Sequence, residues 1–565
     1  MLKNKKKMAE FIGSMMISAI LFLIIYKFIP IVYSTNDDRM IAEIISGQFT
    51  GKPEGYAIQM TFGFTWFLSK LYEITRSLNW YGIVLIGSQI FSFGTILYRL
   101  QNFEEKLWKK GVLCLTAIMI FIALWLKVYV QMTYTSTAAF VGLAAIFWYA
   151  SSKTNVRNIL MVGFLANLAF SIRPNVFYML LPATGLIYLW KLIGKKQLDK
   201  LTITAPFMML AVTACLFVIN AAAYSQDGWK EFMEFFGHRT DIYDFYDLAD
   251  YEERPELYDP YGIDETEYDM IRVYNYTVMG DTPKEFFPQY IEAYQEMEEA
   301  EGITVAEKIA DAVKTFTADV FSNSYGVENT VLFAAVIVLF LWILWKNQYL
   351  LALYVAVQCA AVCALWLYFT YWGRTIGRIQ VSMSLILLAV VLHVLYELQF
   401  VRKSETEGKM KWKQAAMILS GCILFLAAII NFRDYRFENI EKAHRYSDIQ
   451  TIKEYCAQNP ENLYYMDVAT MTDLYGRFTI KNTEPEYINY IQLGDWSAYC
   501  PHYEEKLERH GVKNIAETIT DENTYVIMLH NYQLQCLKDY LGVEESWEKT
   551  IWGVGDTVYA VYQFH

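Results

Sequence analysis

Two adjacent carboxylates open the first polar stretch of the chain. They stand in Ser34-Thr35-Asn36-Asp37-Asp38-Arg39-Met40-Ile41-Ala42-Glu43-Ile44-Ile45-Ser46-Gly47, just after an apolar run long enough to cross a bilayer. A carboxylate at a membrane surface can deprotonate an incoming hydroxyl, because low dielectric and a like-charged neighbour raise its pKa. The same residues also read as an interfacial helix, capped by Asn36 or Asp37, burying Met40, Ile41, Ile44 and Ile45 and leaving the acids solvated. A second chemistry-bearing stretch is Tyr371-Trp372-Gly373-Arg374-Thr375-Ile376-Gly377-Arg378. Four residues apart, Arg374 and Arg378 would share a helix face, and two guanidinium forks suit a phosphate or pyrophosphate. Gly373 and Gly377 would permit close approach, while Tyr371 and Trp372 equally suit an aromatic belt beside snorkelling arginines. A third stretch, Ser171-Ile172-Arg173-Pro174-Asn175, breaks the apolar run 158–191 at Pro174, leaving either a re-entrant pair or an outer hairpin with Arg173 at its turn. Gly237-His238-Arg239-Thr240 offers two further substrate-contacting candidates, His238 and Arg239. His393, inside a late apolar run, reads as a packed, hydrogen-bonded residue.

The elements that must position these residues are membrane helices. Of 565 residues, 55% are hydrophobic, 16% aromatic and only 19% charged, against about 25% charged in soluble domains. Eleven runs qualify as spans: 11–33, 80–98, 111–131, 134–150, 158–172, 175–191, 201–224, 329–345, 349–371, 377–397 and 414–431. The first reads as a signal anchor. Segment 56–75 carries Gln59, Lys70 and Glu73 and reads as an interfacial amphipathic helix. With that segment kept out of the membrane, every basic connector (99–110, 151–157, 192–200, 346–348 and 398–413) falls on the same side as Lys3, Lys5, Lys6 and Lys7. The positive-inside rule then predicts a cytoplasmic N-terminus and an extracytoplasmic C-terminus.

Three polar regions lie on the outer side: loop 34–79, loop 225–328 and the tail 432–565. The first two belong to a transmembrane domain of residues 1–431, and the tail alternates strands and helices as a small α/β domain. In the long loop Asp241, Asp244, Asp247 and Asp250 recur every three residues, which predicts a solvated helix face. The tyrosines among them (Tyr243, Tyr246, Tyr251, Tyr258, Tyr261 and Tyr268) either pack or stack on sugar rings.

The sequence also excludes functions. A net charge of −12 argues against nucleic acid as a partner. No phosphate-loop or dinucleotide fingerprint occurs, and no cytoplasmic connector is long enough to hold a nucleotide. Eight cysteines with no CxxC make neither a disulfide scaffold nor a zinc site, and the tail shows no cluster of metal ligands. No cofactor is expected. Any substrate activated on the outer side must arrive already attached to a carrier, for which a lipid is the natural form.

The segment Asp37-Asp38-x-x-x-Ala42-Glu43-Ile44, following a first transmembrane helix, resembles the acidic motif of GT-C membrane glycosyltransferases, among them protein O-mannosyltransferases and aminoarabinose transferases. The pattern D-[DE]-x-R-Y-A-E-I of some members lines up on Asp37 to Ile44. Here the basic residue is Arg39, one place earlier, and Met40 and Ile41 replace the Arg-Tyr. The Arg374–Arg378 and Arg173-Pro174 segments resemble that superfamily too. The resemblance implies that Asp37 is the catalytic carboxylate and Asp38 its partner, and that the arginines hold the donor phosphate. It also implies a polyprenyl-phosphate-linked sugar as donor and inversion at the sugar carbon. The acceptor would be a glycan, lipid or protein of the cell envelope, at a bacterial plasma membrane. The rival readings are a transporter or flippase of lipid-linked glycans, needing the arginines but not Asp37, and a non-catalytic scaffold.

Overall fold

The computed structural model describes residues 2–34, 36–246, 248–302, 304–322, 325–402, 411–474, 476–543, 546–554 and 557–564. Its apolar runs are helices, the form in which a segment satisfies its own backbone polar groups inside a bilayer. Among the described residues, eight are long and apolar enough to cross one: Lys5–Phe28, Trp80–Gln101, Leu107–Val130, Pro174–Gly194, Lys200–Tyr224, Gly326–Trp345, Tyr349–Tyr371 and Gly377–Leu398.

Three of the eleven expected spans are not among these eight. Run 158–172 is the 17-residue helix Val156–Ile172. Run 134–150 is the helix Tyr134–Ser151, buried on every side. Surrounded by protein, it tolerates polar residues such as Thr135, Ser136 and Thr137 that a lipid-facing helix would exclude. Run 414–431 lies within a helix of 48 residues, Lys411–Gln458, which passes unbroken through residues 431 and 432. Lys403 and Lys409, two of the basic residues of connector 398–413, lie outside the described residues, as does Asp247 of the acidic run. Segment 56–75 holds the helix Phe62–Ile74, whose 13 residues are too few to span.

The two ends of the bundle differ in chemistry. At one end the basic connectors are tied down: Arg99 bonds the Ser151 hydroxyl at 2.8 Å, Lys191 the Ser152 carbonyl at 3.1 Å, and Lys110 pairs with Glu10 at 2.7 Å. Lys195 pairs with Glu397, and that residue faces His393 at 3.4 Å. His393 also bonds the Tyr354 hydroxyl at 2.8 Å, the packed environment its sequence position suggested.

At the other end sit loop 34–79, loop 225–328 and the tail. The tail folds as a five-stranded sheet in the order Tyr490–Gln492, Leu463–Met466, Thr524–Met528, Thr557–Phe564, Ser546–Val554. The first three strands are parallel, joined by helical crossovers, and the last two are antiparallel. The long loop departs from the expected acidic helix. Helix Trp229–Asp241 ends in a π-turn, Ile242–Tyr246, so Asp244 leaves the helical face, and Asp250 lies beyond the turn in irregular chain. Its tyrosines mostly pack on one another: Tyr258 on Tyr268 and Tyr290, and Tyr243 on Tyr274 at 4.2 Å.

Candidate active site

Two short segments create the site. Val32–Tyr33 pairs in parallel with Gln131–Met132, and Ser34 N donates to the Met132 carbonyl at 3.0 Å. The pairing is clamped by Asn439 of the 48-residue helix, whose amide donates to the Pro30 and Val130 carbonyls and accepts from Gln131. After each strand the chain turns into a helix, so Asn36–Ser46 and Tyr134–Ser151 begin side by side. Thr133 caps the second of these, in a capping box with Ser136. That placement puts the Asp37-Asp38 pair against Tyr134.

Both acids are buried, at 7% and 0% exposure, which removes the solvated-acid reading. Asp38 Oδ1 accepts from the Tyr81 hydroxyl at 2.5 Å and from Tyr134 N at 2.9 Å. It is fully enclosed and acts as a bracket joining three helices. Asp37 Oδ2 accepts from the Tyr134 hydroxyl at 3.1 Å and from Arg378 Nη1 at 2.5 Å. The helix Asn36–Ser46 buries Met40, Ile41, Ile44 and Ile45, the face its spacing predicted.

The arginines converge by a different route from the expected one. Arg378 lies in the first turn of the helix starting at Gly377, but Arg374 precedes that helix, in the turn after Tyr371, so the two do not share a helical face. Gly373 permits that turn by its φ of +68°, with no atom within 4 Å of where a Cβ would stand. Its part is conformational rather than close approach. Arg173 caps the helix Val156–Ile172, and Pro174 starts the next, which at 21 residues to Gly194 is long enough to cross. The break is therefore a turn between a 17-residue helix and a full-length one, not a re-entrant pair. Gln59, the polar residue in segment 56–75, receives Arg173 at its carbonyl (3.0 Å) and at its side chain, and Thr61 N bonds the Ser171 carbonyl at 3.0 Å. Loop 34–79 thus seats on the Arg-Pro break.

Arg173, Arg374 and Arg378 line one cavity of about 350 Å³. Its other walls are mostly apolar, with Val176, Met179, Leu365 and Ile379 among them. Tyr178 and Tyr368 also line it, and both are about half exposed on the outside of the bundle. Arg374 pairs with Asp244 at 2.8 Å and lies over the Phe245 ring. Burial holds the Arg374 guanidinium below its usual pKa; Asp244 opposes this, while Arg378 and Arg173 add to it. Three cations around one space, with a single carboxylate answering Arg374, form a place suited to an anion. Arg378 also borders a second cavity of about 350 Å³, with Ser34, Lys127, Thr133 and Tyr325 in its wall. It thereby stands between the two spaces, beside Asp37.

His238 and Arg239 line neither cavity. Arg239 donates to the Tyr276 hydroxyl at 3.1 Å and lies over the Tyr243 ring. The sequence did not single out Tyr134, Tyr81 or Asp244 as site residues. Tyr134 and Tyr81 carry no signal beyond standing at the starts of apolar runs. Asp244 was in view, but only as one member of a uniform acidic run.

Among the described residues, the one group of three histidine, cysteine or carboxylate side chains close enough to share an ion is Glu54, His502 and Glu505. The tail does contribute to a cluster of this kind; its third member, Glu54, comes from loop 34–79, which local spacing in the tail cannot reveal.

No family model and no curated protein matches the chain. Among solved structures, an Archaeoglobus fulgidus oligosaccharyltransferase tethered by a disulfide bond to an acceptor peptide containing the NVT sequon aligns with 98% of this chain and 74% of its own, at 10% identity and a TM-score of 0.42. The oligosaccharyltransferase AglB of the same organism, in complex with an inhibitory peptide and a dolichol-phosphate, aligns with 93% of this chain and 69% of its own, at 10% identity and a TM-score of 0.36.

Proposed function

We propose that this chain is a membrane glycosyltransferase of GT-C type. It moves a sugar from a polyprenyl-phosphate carrier to a hydroxyl-bearing acceptor on the outer side of the membrane. The observation that supports this most is the meeting of Asp37 and Arg378, 341 positions apart, at 2.5 Å beside a cavity with three arginines. A carboxylate alone would be an N-terminal acid, and arginines alone would be interfacial anchors. Together they supply the base and the anion site that a single displacement needs.

In this reading the donor phosphate enters between Arg173, Arg374 and Arg378, with its lipid chain leaving past Tyr178 and Tyr368. The phosphate competes for Arg378 and frees Asp37 Oδ2. Asp37 then takes the proton of the acceptor hydroxyl, whose oxygen attacks the sugar carbon. The bond from that carbon to the phosphate oxygen breaks, its electron pair stays on the phosphate, and the arginines offset the charge. One displacement inverts the carbon. The base contributes about 10²–10⁴-fold and each fixed donor to the leaving group about 10²–10³-fold.

The test is transfer from a radiolabelled polyprenyl-phosphate sugar by the purified chain. Asp37→Asn should slow transfer by about 10²-fold or more while donor binding persists. Arg378→Gln should weaken both binding and transfer. Transfer by Asp37→Asn at the unsubstituted rate would remove the base from the mechanism, and donor movement across vesicles without transfer would favour the transport reading.

A further inference from the structure

The first outer loop meets the tail at a second cluster of charged and polar groups, remote from Asp37 in its chemistry and its partners. His502 and Glu505 lie three residues apart at the start of the helix Pro501–Arg509, so both face the same way, towards Glu54 of the loop. One ligand atom of each of the three residues falls within 4.8 Å of the others. His502 is 7% exposed, wedged edge-on against Trp229 at 5.0 Å and Tyr56 at 5.9 Å, so its ring is held by packing. Its Nε2 is buried without a hydrogen-bond partner and stands 4.0 Å from Glu54 Oε2. With its proton on Nδ1, the ring presents a buried Nε2 lone pair towards Glu54 with no donor to meet it, and an electropositive group between them would satisfy both. Lys52 meets only part of that need: its ammonium bridges Glu54 at 3.3 Å and Glu505 at 3.0 Å but offers nothing to Nε2, and its side chain is 59% exposed.

We propose that Glu54, His502 and Glu505 form a binding site for a divalent transition-metal ion of the zinc class, which clips the first outer loop to the tail, and that Lys52 holds the two carboxylates when the ion is absent. One imidazole nitrogen with two carboxylate oxygens suits zinc better than calcium, which takes oxygen ligands. Ligand atoms around one tetrahedral zinc stand about 3.4 Å apart, so binding needs a small closure. The half-exposed Glu505 and Lys52 side chains are the ones free to make it. The site stands or falls independently of the transfer reading.

The experiment uses the full chain in detergent, stripped with chelator, then dialysed against zinc ion and measured for bound metal and for melting temperature. One zinc per chain and a zinc-dependent rise in melting temperature are expected. His502→Ala should lower affinity about 100-fold or more. Glu505→Gln, a change at a half-exposed position that leaves the fold in place, should lower it at least about tenfold. Lys52→Met should raise affinity about tenfold by removing a competing cation. Failure of the unsubstituted chain to bind zinc would overturn the proposal. So would equal binding by the unsubstituted chain, Glu505→Gln and Lys52→Met, the mark of an adventitious ion.

Discussion

Arg378 holds the proposed base in an ion pair, and Asp244 does the same for Arg374. The Asp244 carboxylate stands where a phosphate oxygen would be welcome, 2.8 Å from the guanidinium. Asp244→Asn should therefore tighten binding of a short-chain polyprenyl phosphate several-fold, as expected for losing a half-buried competitor worth about 1 kcal/mol. Arg374→Gln should weaken it. Equal affinity in Asp244→Asn and the unsubstituted chain would show that this pair does not guard the cavity. At this scale the sequence was a partial guide. Arg173, Arg374, Arg378 and Asp37 stood out because charge beside apolar residues is costly and rare. Asp244 did not, because what separates it from Asp241 and Asp250 is the π-turn Ile242–Tyr246, and nothing in the three-residue spacing signals where the helix ends.

At the scale of elements, the helix Asn36–Ser46 is fixed by a buried charge network as well as by its apolar face. Glu43 pairs with Lys453 of the 48-residue helix at 2.8 Å and accepts a hydrogen bond from the Tyr490 hydroxyl, which lies 3.0 and 3.1 Å from its two carboxylate oxygens; Lys453 also reaches Glu484 at 3.0 Å. Burial pushes the Glu43 carboxyl up, but Lys453 and Arg39 outweigh it and hold it below its usual value. A depressed carboxylate contributes stability above its unfolded pKa and loses it as pH falls through the folded one. Lys453→Met should cost up to about 3–5 kcal/mol of stability, read by unfolding at pH 7, because it leaves the buried carboxylate only the longer Arg39 contact at 3.8 Å and the Tyr490 bond. Lys453→Met with Glu43→Gln should recover part of that loss; no recovery would mean that the lysine acts through packing alone.

Lys506 faces the same interface with the opposite sign. It is buried over the rings of Phe49, Tyr487 and Tyr490, near Glu43, Cys456, Arg509 and Lys453. Burial lowers its pKa to about 7, with the attraction of Glu43 and Cys456 only partly opposing it. Between that value and the unfolded value of about 10.4, the unfolded chain binds more protons, so stability rises with pH across this window. Lys506→Met should raise stability at pH 7 by roughly 2–4 kcal/mol and flatten the rise between pH 7 and 10, measured as the difference between the two proteins. A parallel pH profile in the variant would refute the buried-lysine account.

At the scale of the molecule, the α/β character of the tail was legible, since short apolar runs such as Leu463–Met466 and Thr524–Met528, buried at every position, alternate with helical segments. Its docking was not, because Lys453, Lys506 and His502 act across hundreds of residues. The central helix Tyr134–Ser151 shows why hydropathy alone does not define the bundle: a helix that touches only protein need not be as apolar as one that touches lipid. The unbroken helix Lys411–Gln458 carries the chain from the membrane run into the tail. At about 1.5 Å per residue it is a strut of roughly 70 Å, and each residue also sets an angle of about 100° around its axis. The tail is thus joined to the membrane helices by phase as well as by distance. One residue added between 432 and 445 would swing Lys453 away from Glu43, whereas seven would nearly restore its bearing and lift it by about 10 Å. In this protein the reach of the tail is fixed by rotation as firmly as by height, so an insertion there acts as a twist before it acts as a spacer.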